Sequence, residues 1–83
     1  VIHRARLGGA ALQKANGIPR DALDAMAETL AAIVEDPYDA LLSLPVKDDR
    51  RERWAVLGDG GFVEFRVDDA AATITVYEIT WVG

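Results

Sequence analysis

Trp54-Ala55-Val56-Leu57, Phe62-Val63-Glu64-Phe65-Arg66-Val67 and Thr73-Ile74-Thr75-Val76-Tyr77-Glu78-Ile79-Thr80-Trp81-Val82 are three runs rich in β-branched and aromatic residues. Such residues suit a pleated, half-buried surface. The runs are separated by Gly58-Asp59-Gly60-Gly61 and Asp68-Asp69-Ala70-Ala71, which have turn chemistry. Three strands with short turns predict an antiparallel meander over residues 53–82. In the middle strand Val63, Phe65 and Val67 share one face, and Phe62, Glu64 and Arg66 take the other. Strict alternation in the last strand puts Ile74 and Val76 on one face and Tyr77, Ile79 and Trp81 on the other. Gly60-Gly61 is expected to supply the positive-φ freedom of a tight hairpin.

Upstream of the meander the pattern changes. Residues 1–6 alternate weakly and predict a short strand with Ile2 inward, ended by Gly8-Gly9. Ala11, Leu12 and Ala15 at helical spacing predict a short helix over residues 10–16, with Gly17 just past its end. Pro19 suits the first turn of a second helix. Leu23, Met26, Ala27, Leu30, Ile33 and Val34 form its apolar stripe, and Asp21, Asp24, Glu28 and Glu35 fall largely off it. Pro37 stops this helix at or before Asp36. Tyr38, Leu41, Leu42 and Leu44 are expected to cover an end of the core, and the mixed charges of residues 47–53 read as a solvated linker. The expected fold class is α+β in a single domain over residues 1–83. A short N-terminal strand and a two-helix hairpin precede the three-strand meander, with the helices on one side of a twisted sheet.

Composition narrows the function classes. A chain of 83 residues, 51% hydrophobic and 28% charged, has room for one two-layer core. Without cysteine it has no disulfide or thiolate metal site. No apolar run approaches the roughly 20 residues of a membrane helix. Arg4 and Arg6 lack the apolar stretch of a secretory signal after them, so a cytoplasmic location is expected. The start at Val1 fits a processed or an alternative start equally. The net charge is −5, which gives no general attraction to nucleic acid; any such role needs a local basic patch. Residues 1–20 do carry Arg4, Arg6, Lys14 and Arg20 with no acid. No Gly-rich phosphate loop, Ser/His/Asp set or metal-ligand cluster is present, and no cofactor is expected. Asp48, Asp49, Asp68 and Asp69 fall in turns and read as capping groups; His3, the one histidine, reads as structural or exposed.

Strand, helical hairpin and meander in this order resemble the RelE/ParE superfamily of toxins. The residues that carry the resemblance are Glu35-Asp36-Pro37-Tyr38 at the helix end, the Arg-rich approach through Arg53, Gly61-Phe62, the Asp69 turn and Ile74-Thr75-Val76-Tyr77-Glu78-Ile79. Seven arginines against two lysines and abundant alanine suit a high-GC bacterium. The resemblance implies the toxin of a type II toxin–antitoxin pair, with a cognate antitoxin as partner. Two actions remain open. The first is ribosome-dependent cleavage of mRNA, with Arg53 as the catalytic cation and Arg50, Arg51 and Arg66 on the phosphate. The second is binding alone, as in gyrase-inhibiting toxins or a degenerate toxin held by its antitoxin, with Phe62, Trp81 and Val82 as the partner surface. The family's second-strand arginine is replaced here by Phe62 or Val63, and its C-terminal acid–base residues by Trp81-Val82-Gly83.

Overall fold

Among the described residues, five strands and two helices follow one another as β1 (Arg4–Leu7), α1 (Gly9–Ala15), α2 (Arg20–Ile33), β2 (Leu44–Pro45), β3 (Glu52–Leu57), β4 (Gly61–Asp68) and β5 (Thr73–Trp81). This computed structural model describes residues 2–58 and 60–82. Val1, Asp59 and Gly83, which fall within the expected first strand, hairpin turn and C-terminal end, lie outside the described residues. The sheet order is β1-β5-β4-β3-β2. Consecutive meander strands pair antiparallel, and β1 returns to lie parallel beside β5. The connection between those parallel neighbours carries both helices, which pack over one face of the sheet.

The core lies between that face and the helices. Val63, Phe65 and Val67 are buried from β4, as alternation predicts, with Ala55 and Leu57 from β3. Ala11 and Ala15 of α1 and Met26 and Ile33 of α2 close over them, and Leu23, Leu30 and Val34 pack at the margin. Among the described residues no helix covers the opposite face. The helical stripe is shifted slightly from expectation: Ala22 is buried, while Leu12 is half exposed. Ile2 is 70% exposed instead of inward, because pairing begins at Arg4 and it is Leu7 that reaches the core.

Strict alternation fails in β5 for a specific reason. Glu64 pairs with Glu78 but Phe65 pairs with Val76, so Tyr77 is an extra residue without a partner in β4. This β-bulge resets the side-chain phase. Ile74, Val76 and Ile79 are therefore all buried on the helix side, and Trp81 packs against the same core. Tyr77 stays on the open face.

Residues 47–53, expected to be a solvated linker, instead close a short antiparallel hairpin between β2 and β3. Leu44 and Pro45 form an edge strand against Trp54 and Arg53, and the Val46 N–H donates to the Glu52 carbonyl at 2.7 Å. A proline is tolerated on an edge strand, where its missing donor faces outward. Tyr38 and Leu42 do cover the core, but Leu41 is 93% exposed and Leu44 points to the open side.

Two turns show why particular small residues are present. Gly58 has φ of 51°, a left-handed conformation that glycine adopts without strain. Gly61 is required for space: a Cβ there would lie 2.3 Å from the Thr80 carbonyl oxygen and 2.7 Å from the Trp81 ring. In the β4–β5 turn Ala72 also has φ of 51°. A left-handed conformation costs an L-residue roughly 1–2 kcal/mol. Ala72→Gly is therefore expected to stabilise the fold by about 1 kcal/mol and to raise Tm by roughly 4–8 °C for a domain of this size. An unchanged or lower Tm in thermal denaturation would contradict that account.

Candidate functional site

The open face of the sheet divides into an apolar end and a polar end. At the apolar end Trp54 and Phe62 meet edge to face, with centroids 6.2 Å apart, and Val56 beside them is exposed. At the polar end the strand registers place Arg6, Thr75, Arg66 and Glu52 in one row across β1, β5, β4 and β3. This row exists because all four side chains alternate away from the core on their own strands.

Two members of that row, Arg66 and Glu52, come together with Tyr77 beside it. The Arg66 Nη1 donates to Glu52 Oε1 at 2.5 Å, and the Tyr77 hydroxyl donates to Glu52 Oε2 at 2.9 Å. Asp49 lies 3.6 Å from the same Arg66 nitrogen and 3.3 Å from Arg51 Nε. The contact with Glu52 raises the Arg66 pKa further. Burial, followed by the hydrogen bond and charge of Glu52, pushes the Tyr77 phenol up to about 12. The backbone N–H of Arg51 is the main cause of a lowered Asp49 pKa. A carboxylate, a phenol that stays protonated and paired guanidinium groups thus share an exposed surface. That set can accept a proton, donate one and offset negative charge.

The Tyr77 shift has a measurable consequence. The folded phenol's pKa lies above its unfolded value near 10, so the contribution to stability is fully present below pH 10. It is lost as pH rises from 10 through about 12. Alkaline titration of phenolate absorbance in a Tyr38→Phe background should show Tyr77 ionising near 12, and Tyr77→Phe should remove that step. Ionisation near 10 would contradict the contact with Glu52.

Arg53 is placed elsewhere. It belongs to the core-facing phase of β3 with Ala55 and Leu57 and is only 4% exposed. Its Nε donates to Ser43 Oγ at 2.7 Å, Nη2 to the Ser43 carbonyl at 2.9 Å and Nη1 to the Arg50 carbonyl at 2.9 Å. Ser43 passes the link on to the Pro37 carbonyl at 2.9 Å. The Tyr38 ring lies under two cations, with Arg50 Cζ at 4.3 Å and Arg53 Cζ at 5.4 Å from its centroid. The Tyr38 hydroxyl donates to Asp69 Oδ2 at 2.7 Å, and His3 Nε2 lies 3.1 Å from Asp69 Oδ1. Hydrogen bonds from Tyr38 first, then His3, hold the Asp69 carboxyl below its usual range. Arg53 therefore anchors residues 37–50 to the sheet, and its donors do not face an incoming phosphate. Arg50 stacks on the same node, away from the Glu52 cluster.

Of the residues expected to act on phosphate, Arg51 and Arg66 share Asp49 on the open face, whereas Arg50 and Arg53 meet at Tyr38. Arg66 pairs across the hairpin with Glu52 and not with Glu64 along its own strand. Of the expected partner surface, Phe62 is on the open face and Val82 is 86% exposed, while Trp81 is half-buried against the core. Glu52 and Tyr77 complete the cluster without having been singled out as site residues. The hairpin register, centred on Leu57 paired with Gly61, carries Glu52 to Arg66 and could have revealed the first. Alternation sets Tyr77 on the face opposite Ile74 and Val76, but its reach to Glu52 follows from the order of three paired strands.

Among the described residues no group of three or more His, Cys, Asp or Glu side chains is placed to hold a metal ion. No described helix is long and apolar enough to cross a membrane.

The chain has a RelE-like fold. It superposes on a chain of the RelBE2 toxin–antitoxin complex of Mycobacterium tuberculosis with a TM-score of 0.81 and 18% identity, covering 98% of this chain and 99% of that one. Against a mutant of the Escherichia coli toxin RelE in the free state, the TM-score is 0.77 with 13% identity, covering 98% and 84%. No family model and no curated protein sequence matches the chain.

Proposed function

We propose that this protein is the toxin-like component of a type II toxin–antitoxin pair and acts on RNA through Glu52, Arg66 and Tyr77. The observation that carries this reading is the direct contact of the Glu52 carboxylate with both the Arg66 guanidinium and the Tyr77 phenol on an open sheet face. The fold supports the toxin assignment, and its likeness to a chain of a toxin–antitoxin complex supports an antitoxin as partner.

The chemistry follows from the groups present. Glu52 takes the proton of a ribose 2′-hydroxyl, and the freed oxygen attacks the adjacent phosphorus. The bond from phosphorus to the 5′ oxygen breaks, and Tyr77 protonates the departing oxygen. Arg66 and Arg51 offset the charge that develops on the phosphoryl oxygens. The products are a 2′,3′-cyclic phosphate and a 5′-hydroxyl. Glu52, now protonated, returns its proton to Tyr77 through the hydrogen bond they already share. Inducible expression with mapping of mRNA 5′ ends tests this reading: new ends and growth arrest are expected with the wild type and not with Glu52→Gln.

A second reading is binding without cleavage. It is favoured by the bridging of Arg66 to Asp49 as well as Glu52, which leaves less of its charge for a ligand, and by the Trp54–Phe62 pair with exposed Val56 beside it. Growth arrest without new RNA ends, relieved by co-expressed antitoxin, would select that alternative.

A further inference from the structure

Beyond the Glu52 cluster, the open face holds a cation that the proposed chemistry does not use. Arg6 lies on β1 opposite Thr75, Thr75 lies on β5 opposite Arg66, and Arg66 lies opposite Glu52. Two strand spacings of roughly 4.8 Å each put the Arg6 and Arg66 backbones about 10 Å apart along this row. Between them is an open depression of about 590 Å³ lined by Arg6, Arg51, Arg66, Thr73 and Thr75, with the β4–β5 turn as its rim.

The electrostatics of the depression distinguish its two sides. Arg66 and Arg51 pair with Glu52 and Asp49, whereas among the described residues no ion pair involves Arg6. The two acids on the rim have partners within or beside their own turn. Asp68 Oδ1 accepts the Ala71 N–H at 3.1 Å, and both Asp69 oxygens are engaged by Tyr38 and His3. Arg6 is exposed and on the same face as the cluster. It is thus a free cation at the far end of a polar trough that starts at the reacting groups.

We propose that Arg6 is a second phosphate subsite, which holds the backbone of single-stranded RNA one or more phosphates away from the bond at Glu52 and Tyr77. Thr73 and Thr75 line the floor between the two phosphates with hydroxyls that can donate to phosphate or ribose oxygens. The strand then crosses the sheet from β3 toward β1, at right angles to the protein strands. This inference rests on the RNA reading of the cluster but concerns binding remote from the cleaved bond. Arg6 is a substrate-binding residue that does not touch the reacting atoms.

The test measures binding of 2′-O-methyl oligonucleotides, which cannot be cleaved, to the folded protein by fluorescence anisotropy. Arg6→Ala should weaken binding of a hexanucleotide about three- to tenfold at low salt and leave a dinucleotide unaffected. The slope of log affinity against log salt should fall in magnitude by about 0.7, the value for one phosphate of a single strand. Arg6→Lys should restore most of the loss, and Arg4→Ala, a neighbouring cation outside the depression, should have little effect. Equal losses for Arg4→Ala and Arg6→Ala, equal losses for both oligonucleotide lengths, or no loss at all would overturn the subsite. The RNA-cleavage reading fails separately, if the wild type binds the hexanucleotide but produces no new RNA ends. No binding of the hexanucleotide by the wild type would overturn the subsite and the cleavage reading together.

Discussion

Glu52→Gln is expected to lower RNA cleavage by about 10²–10⁴-fold, the usual contribution of a positioned general base. The substitution is chosen because glutamine can still accept hydrogen bonds from Arg66 and Tyr77 through its carbonyl oxygen, but it cannot take up a proton. The Glu52 side chain is 32% exposed, so the change leaves no buried charge behind. The melting temperature should therefore stay close to that of the wild type. Retained activity within a few-fold would show that Glu52 only positions Arg66. Lost activity together with a lowered Tm would assign the contact to folding instead.

Arg53→Ala should have the opposite profile. Its guanidinium makes three hydrogen bonds, two of them to Ser43, and Arg53 and Ser43 are both almost fully buried. A hydrogen bond involving a charged group contributes about 1.5–3 kcal/mol, and unsatisfied buried acceptors add a penalty. The contributions are not additive, and a loss of about 2–4 kcal/mol is expected. That is a large share of the roughly 4–12 kcal/mol expected for a domain of this length. Urea unfolding should show the drop directly. Any loss of cleavage should recover at temperatures where the variant is still folded. A variant that is stable to within 1 kcal/mol yet inactive would make Arg53 a catalytic residue and overturn its reading as an anchor.

The contrast between these neighbours shows what sequence could and could not resolve. Both were visible as charged residues entering β3, and the period-2 pattern of strands was visible too. A shift of one residue decides which side chain is buried. The apolar partners Ala55 and Leu57 share the phase of Arg53, but an arginine in that phase looks like an interruption until Ser43 is seen to receive it. Ser43 comes from residues 37–51, where no periodicity marks the chain as ordered. The meander, the helical hairpin and the burial of Val63, Phe65 and Val67 were legible because each rests on a repeating local pattern. The burial of Ile79 beside Ile74 and Val76 was not, since it depends on a bulge created by the pairing of two strands. Leu41 and Ile2 mark the converse limit: hydrophobic character alone did not bury either of them.

The meander thus has two faces with separate duties. The helix side stores the core and the Arg53 anchor, and the open side presents Glu52, Arg66 and Tyr77 with Arg6 at the far end of the trough. The most direct measurement is a backbone amide chemical-shift map of the protein titrated with an uncleavable single-stranded RNA. The account predicts perturbations concentrated at Arg51, Glu52, Arg66, Thr75 and Tyr77 and extending to Arg6. Shifts clustered instead at α2, β2 and the Trp54–Phe62 end, with the Glu52 cluster unmoved, would contradict it.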